Sequence, residues 1–176
     1  FFLIFSLFWY FSSDLPDFSF LKTYKPAVST KVYDIEGDAI ADFSRERRSF
    51  VRMDQVPKIV IDAFLSAEDK NFYKHPGIDA IGITRAVIKN IENILTGKRL
   101  EGASTITQQV AKNFLLSSDV SLARKVREAI LAFRIEKVLS KDRILELYLN
   151  EIYLGERSYG IASASMTYFD KSIKDI

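Results

Sequence analysis

Cysteine is absent from this chain of 176 residues, and histidine occurs only once, at position 75. The lack of cysteine excludes disulfides, thiolate metal sites and a cysteine nucleophile. With a single histidine, a histidine-rich zinc site is excluded and a serine triad would have to be built on His75. The charges nearly cancel, with 25 basic and 23 acidic residues, so we expect no nucleic-acid partner.

A complete membrane-spanning apolar run is also missing. Residues 1–11 read FFLIFSLFWYF and are apolar or aromatic except Ser6, whereas a spanning helix needs about 20 such residues. The sequence begins inside this run without a methionine, so we interpret residues 1–11 as the end of a transmembrane or signal-anchor helix. A buried strand or the apolar core of a signal peptide is the alternative.

The rest of the chain divides into an irregular part and a helical part. Residues 12–53 contain a stretch rich in Pro, Ser and Asp that is typical of a linker, and then KVYDIEGDAIADF, whose alternation around Glu36-Gly37-Asp38 predicts a β-hairpin. Residues 54–176 have helical spacing and form the main domain, either complete or truncated at its C-terminus.

Five amphipathic helices are predicted in the main domain, so the expected fold class is mainly α. The first helix is capped by Asp54 and ends at Glu68. The others occupy residues 78–95, 104–116, 122–139 and 141–149, the last with Ser140 as its N-cap. Between the second and third helices, TGKRLEG predicts a polar, mobile connection.

The stretch LSAEDKNFYKHPGID contains the first candidate for chemistry. Glu68 and Asp69 follow an apolar helical run, and His75 comes shortly after them, just before Pro-Gly. The two acids either act in a reaction or solvate a helix end.

Two further clusters of polar residues stand out. EGASTITQQVAKN places hydroxyl and amide side chains before Lys112, a combination that suits hydroxyl-rich or phosphate ligands. Helix capping explains this row equally well. On the fourth helix, Arg124, Lys125 and Glu128 can share one face, where a carboxylate would be held between cations. Taken alone, such a group is more often ordinary surface solvation.

Five segments of the chain stand in the order of five known motifs: EDKNFYKHPG, GASTITQQVAKN, RKVREAILAFRIE, KDRILELYLNEIYLG and YGIASASMTYFDK. From residue 54 to 171 the chain resembles the family 51 glycosyltransferases. These are the peptidoglycan polymerase domains of class A penicillin-binding proteins and of monofunctional transglycosylases. The resemblance implies a lysozyme-like helical domain on the outer, periplasmic face of the bacterial cytoplasmic membrane.

The resemblance also implies a reaction and its residues. The enzyme would polymerise lipid II into β-1,4-linked glycan with inversion and release of undecaprenyl pyrophosphate. Glu68 would be the general base and Glu128 the second important carboxylate, organising cations or helping to bind a divalent metal. The residues implied to bind substrate are Asp69, Ser104, Thr105, Gln109, Lys112, Arg124 and Lys125.

Cofactors and partners follow from the same resemblance. No cofactor is certain, and a divalent cation, Mg²⁺ or Mn²⁺, is left open. The expected partners are lipid II, the growing glycan strand, the membrane and other cell-wall synthesis proteins. We expect His75 to hold the motif-one loop in shape, and Asn150, Gly155 and Gly160 to be architectural.

The sequence departs from the family motifs at two positions, and two alternative functions remain. Gly102-Ala103 replaces the usual double glycine, and Val120 stands where many relatives carry an arginine. A lysozyme-like glycoside hydrolase acting on peptidoglycan is the alternative enzyme, since paired carboxylates on a helical fold can cleave glycosidic bonds. A non-catalytic, membrane-anchored interaction module is the third interpretation, but it leaves the five polar motifs unexplained.

Overall fold

The computed structural model describes residues 11–12, 15–25, 31–36, 39–42, 46–100, 102–116 and 121–176. Most of the predicted membrane-anchor end, residues 1–10, lies outside these ranges, as do Gly37, Asp38 and Val120. Within the described ranges, no helix is both long enough and apolar enough to cross a membrane. The division into linker and main domain at residue 54 stays a prediction.

The mainly helical class is confirmed. The helices found in the described part of the chain are α1 (Lys58–Glu68), α2 (Ala80–Thr96), α3 (Ile106–Leu115), α4 (Leu122–Glu136), α5 (Lys141–Glu151) and α6 (Ile161–Phe169). The first five match the predicted helices with small shifts at their ends, and Ser140 caps α5 as predicted, accepting from the Arg143 N–H. The sixth helix was not predicted, because its buried residues include Ser163 and Ser165 while Met166, Tyr168 and Phe169 are exposed, so polarity does not follow burial along it.

The predicted hairpin is also confirmed. Strands β1 (Lys31–Tyr33) and β2 (Ala39–Asp42) pair antiparallel. Two shorter strands, β3 (Arg47–Arg48) and β4 (Ser158–Tyr159), pair in parallel and join the segment before residue 54 to the segment before α6. The strands in the described ranges are therefore short and contribute little to the helical body.

Helix α3 lies at the centre of the hydrophobic core. It packs against α4 and α5, and its Ile106, Val110 and Ala111 are almost completely buried. The core side chains contributed by α4 and α5 are Leu131, Ile135, Ile144, Leu145, Leu147, Tyr148 and Leu149. Because α3 carries most of the second motif, the best-packed helix also positions part of the candidate site.

The stretch interpreted as a linker is packed onto the helices where the structure describes it. Leu21 is fully buried, and the Arg143 guanidinium of α5 donates to the carbonyl oxygens of Leu21 and Tyr24, at 3.0 and 2.6 Å. The guanidinium thus satisfies backbone carbonyl groups of the irregular segment. Residues 15–25 are thus a docked segment, which their irregular sequence pattern did not indicate.

The predicted cap at Asp54 is wrong. Asp54 lies in a short 3₁₀ turn, Met53–Gln55, and its carboxylate pairs with the exposed Arg52 guanidinium at 2.8 Å. Helix α1 begins later, after Pro57, with no side-chain cap. Proline supplies a preset φ angle and lacks an N–H, so the first turn forms without the predicted aspartate.

Candidate active site

Glu68 is the last residue of α1, and its side chain is exposed in a cavity of about 410 Å³. The Gln109 side chain on α3 donates from Nε2 to Glu68 Oε2 at 2.8 Å. This bond joins the first motif to the second and fixes one carboxylate oxygen. Glu68 is accessible to a ligand and held in a defined orientation.

Asp69, by contrast, points into the protein. Its side chain is almost completely buried and accepts from His75 Nε2 at 2.9 Å and from the Ile106 backbone N–H at 3.0 Å. His75 Nδ1 in turn accepts from the Gly77 N–H at 3.2 Å, so Nε2 carries the proton of the neutral ring and donates it to Asp69. The two adjacent acids therefore differ: Glu68 faces the cavity, and Asp69 fixes the loop between α1 and α2.

The same loop is held against α3 and α4 by its backbone. The Thr105 hydroxyl donates to the Gly77 carbonyl oxygen at 2.6 Å. Gly77 has a φ of +98°, and a Cβ added there would lie 2.8 Å from the Ala132 carbonyl oxygen of α4. Only glycine fits so close to another backbone at this φ. The Pro-Gly of the first motif is thus a packing requirement.

Capping explains part of the hydroxyl-rich row. Thr105 is the buried N-cap of α3 and forms a capping box with Gln108, which returns a side-chain bond to the Thr105 N–H. Ser104 and Gln109, on either side, are less buried and face the candidate site. The hydrogen bonds of Thr105 and Asp69 described above are made to other groups of the protein, and the assignment of both residues to substrate binding stays a prediction.

The predicted carboxylate between two cations is present on α4. Glu128 is 2% exposed, and its Oε2 accepts from Lys125 Nζ at 2.6 Å. Arg124 Nε lies 3.6 Å from Glu128 Oε1. Lys125 also donates to the Ser104 hydroxyl at 2.7 Å, which joins the third motif to the second.

Lys112 is half-buried on α3, one turn after Gln109. In the described part of the chain, Glu68 bonds Gln109 and Glu128 pairs with Lys125, so neither acid takes Lys112 as its partner. The role of Lys112 toward a substrate stays a prediction, and its position on α3 is compatible with a cation beside the Gln109 end of the site.

Two cavities of different character meet at Ala103 and Ser104. The first is lined by Glu68 and by two cations, Lys70 and Arg85. The second, of about 930 Å³, is an apolar groove with Lys125 as the one charged residue among the described residues that line it. Its apolar lining comes mainly from the start of α2 and from α4, namely Ile78, Ile83, Leu122, Val126, Ile130 and Phe133. The arrangement suits a ligand with a polar, anionic head and a long apolar part.

Several supporting residues were not found from the sequence. Glu136 on α4 accepts from the Thr107 hydroxyl at 2.6 Å and from Lys141 Nζ at 2.7 Å, and Lys141 also donates to the His75 carbonyl oxygen at 2.7 Å. Lys70 and Arg85 lie in the Glu68 cavity. These charged residues come together only in the fold. Lys70 is the exception, since its position directly after Glu68 and Asp69 could have indicated it.

The loop also fixes the start of α2. Asp79 is the N-cap and accepts from the Gly82 N–H at 2.9 Å. This backbone bond, with a smaller contribution from the Asn71 side chain, holds the pKa of Asp79 below its usual value. The capping carboxylate therefore stabilises α2 at neutral pH, and this contribution is lost as the pH falls through the lowered pKa.

Replacing Asp69 by Asn is expected to lower the free energy of unfolding by about 2–3 kcal/mol. Asparagine keeps the volume, but its amide nitrogen replaces one of the two oxygens, so a donor then faces either His75 Nε2 or the Ile106 N–H, both of which are donors. Denaturant unfolding followed by circular dichroism measures the change. Asp54→Asn removes an exposed acid paired with Arg52 and should cost less than about 1 kcal/mol. Equal stabilities of the two variants would contradict a structural role for Asp69.

Comparison with known proteins decides the family. Residues 36–176 match the family described as Transglycosylase. The chain belongs to this transglycosylase family. It is 51% identical over 168 residues to penicillin-binding protein 1A of Rickettsia conorii, and 52% identical over 162 residues to that of Neisseria flavescens. The matches cover 96% and 92% of this chain but 21% and 20% of the relatives, so the chain spans about a fifth of their length.

Membership of the transglycosylase family confirms the assignment that the five motifs indicated. It supports peptidoglycan glycosyl transfer as the general activity of such a domain. The lipid substrate, the stereochemistry and the roles of individual residues remain predictions. In the described part of the chain, no three histidine or acidic side chains cluster to hold a metal ion. The divalent cation also stays a prediction.

Proposed function

We propose that the domain is a peptidoglycan glycosyltransferase that polymerises lipid II, with Glu68 as the general base. The observation that carries this proposal is the junction at Ser104 of a polar cavity containing Glu68 with an apolar groove that Lys125 also lines. A lipid-linked sugar pyrophosphate has sugar, phosphate and polyprenyl parts in that order. The two cavities and the cations between them offer matching environments.

The proposed reaction begins with proton transfer to Glu68. A sugar hydroxyl is a poor nucleophile until a base removes its proton, and an exposed carboxylate held by Gln109 is suited to that task. The 4-hydroxyl oxygen of the acceptor attacks the anomeric carbon of the donor as its proton passes to Glu68. The bond from that carbon to the pyrophosphate oxygen breaks, with inversion at carbon. Asp69 is not the base, because its oxygens accept hydrogen bonds from His75 and from the Ile106 N–H.

The leaving pyrophosphate needs positive charge more than it needs an acid. Lys125 lines the apolar groove and donates to the Ser104 hydroxyl, and Glu128 pairs with both Lys125 and Arg124. Positioned cations stabilise charge that develops on the leaving group. Glu128 therefore acts as an organiser of these cations, and no step of this mechanism uses a metal.

The hydrolase alternative is less well supported. A glycosidase uses two carboxylates at a defined separation on either side of the bond that breaks. Asp69 is buried in contacts with the loop, and Glu128 is engaged by Lys125 and Arg124. An apolar groove of this size next to cations has no evident use in cleaving a polar glycan.

The test of the proposed function is polymer formation from labelled lipid II in detergent. Glycan chains that lysozyme digests, with release of the lipid pyrophosphate, are the expected products. Soluble sugars released from preformed glycan, without polymer from lipid II, would support the hydrolase instead.

We also propose that the domain works at the outer face of the cytoplasmic membrane. The α2 apolar face consists of exposed aliphatic side chains, namely Ile81, Ile83, Val87, Ile88, Ile91, Ile94 and Leu95. Exposed apolar patches of this kind mark contacts with membranes or proteins. A substrate with a polyprenyl tail reaches its site from the bilayer, which gives this face a partner of matching chemistry.

Replacing both Ile88 and Ile91 by Glu is expected to weaken binding to lipid vesicles at least about 100-fold, because each of the two side chains withdrawn from lipid loses about 1.5–3 kcal/mol. Co-sedimentation with vesicles measures the binding. Met166→Glu on α6, a residue with similar exposure, should bind as the parent does. Loss of helical circular dichroism in the double variant would show that Ile88 and Ile91 serve the fold rather than the membrane.

A further inference from the structure

Tyr148 on α5 is a buried residue of the fourth motif that the mechanism above does not use. Its side chain is 1% exposed, and its hydroxyl has no hydrogen-bond partner among the described residues. A buried hydroxyl without a partner carries the full cost of its lost hydration. Such a group in a folded protein calls for an explanation by function or by a bound water.

Tyr148 packs against the face of α1 that carries Glu68. The Phe64 and Tyr148 rings meet edge to face, with their centroids 6.2 Å apart and their planes at 77°. Glu68 follows Phe64 by one helical turn and shares its face of α1. Side chains on a helix lean toward its N-terminus, so the Glu68 side chain leans back toward the turn that contacts Tyr148.

The electrostatics agree with this proximity. Burial, and to a smaller extent the negative charge of Glu68, raise the pKa of Tyr148 well above its usual value. The hydroxyl is therefore protonated, and able to donate a hydrogen bond, at neutral pH. Gln109 already donates a hydrogen bond to Glu68 Oε2, which leaves Oε1 as the carboxylate oxygen open to a donor such as Tyr148.

We propose that Tyr148 is a positioning residue for Glu68, donating a hydrogen bond to Oε1 of the carboxylate either directly or through one water when substrate fills the cavity. The proposal rests on the proposed role of Glu68 as the base. With donors from α3 and α5, both carboxylate oxygens are then held in place. Each donor favours the charged form that a base requires.

The test is the pH profile of Tyr148→Phe, measured as polymer formation from lipid II by the purified protein in detergent. We expect kcat to fall about 10-fold, as one hydrogen bond to a charged group implies, and KM for lipid II to stay within about 2-fold. The acidic limb of the kcat profile should move to higher pH, because the carboxylate that has lost a donor protonates more readily. Other charges in the cavity are unchanged in this variant, namely those of Asp69, Lys70, Asp79 and Arg85.

Stability distinguishes positioning from a structural role. Phenylalanine keeps the contact with Phe64 and removes only an unpartnered hydroxyl, so the melting temperature of Tyr148→Phe should equal or exceed that of the parent. Tyr73→Phe is the matched control, since the Tyr73 hydroxyl bonds Asp142 at 2.9 Å away from the cavity. Its kcat profile should be that of the parent.

Two outcomes would overturn the inference: an unchanged kcat profile in Tyr148→Phe, or a lower melting temperature that accounts for the lost activity. The Glu68→Gln variant separates this failure from a failure of the proposed function. If Glu68→Gln is inactive while Tyr148→Phe behaves as the parent, the base assignment stands and the role of Tyr148 is rejected. If Glu68→Gln still polymerises lipid II, the assignment of the base itself is wrong.

Discussion

Glu68→Gln is expected to reduce glycan polymerisation from lipid II by about 10²- to 10⁴-fold, the range that general-base catalysis contributes. Glutamine has nearly the same shape and can still accept from Gln109 through its carbonyl oxygen. It cannot take the proton of an acceptor hydroxyl, so kcat should fall while the affinity for lipid II changes little. Chain formation from labelled lipid II, together with circular dichroism, measures activity and folding in the same sample.

Asp62→Asn provides the matched control for Glu68→Gln. Asp62 is an exposed acid on the same helix, paired with Lys58 one turn earlier, and it lines neither of the two cavities described. Its replacement should leave polymerisation at the parental rate. Comparable losses in both variants would mean that the charge of α1, and not proton transfer at Glu68, supports the activity.

The contrast between Glu68 and Asp69 shows which features of the site can be predicted from the sequence and which cannot. The apolar spacing before residue 68 predicted a helix ending there, and the helix does end there. That pattern could not say which of two adjacent acids faces the cavity. The answer depends on the Ile106 N–H and on His75, which only folding brings to Asp69. Local periodicity predicts helices well, whereas partners distant in sequence decide what a polar side chain does.

The same limit explains the errors elsewhere. Aspartate is a common N-cap residue, which is why Asp54 was predicted to cap the first helix. In the structure its carboxylate pairs with Arg52, and the helix begins after Pro57 without a side-chain cap. Leu21 lies among residues with no sustained period, so no local pattern indicated that it is buried in the core. The Arg124–Lys125–Glu128 group was found in advance because its spacing of three and four residues is a property of one helix.

Glu128→Gln is expected to raise KM for lipid II about 10- to 100-fold and to lower the free energy of unfolding by about 1–3 kcal/mol. The Glu128 side chain is 3% exposed and holds Lys125 at 2.6 Å, so the neutral amide leaves Lys125 and Arg124 without their counter-charge. The freed cations repel each other and leave the geometry in which, by the proposed mechanism, they face the pyrophosphate. Polymerisation kinetics over a range of lipid II concentrations, with denaturant unfolding, separate the two effects.

Glu146→Gln is the control that distinguishes binding from folding. Arg143 and Glu146 on α5 form another partly buried pair with the same spacing of three residues, but Glu146 lines neither of the described cavities. This variant should lose stability to a similar extent while its KM stays at the parental value. If the KM of both variants rises in proportion to their lost stability, Glu128 is only a structural carboxylate. If the KM of Glu128→Gln alone rises, the buried acid acts on the pyrophosphate through the two cations that it holds.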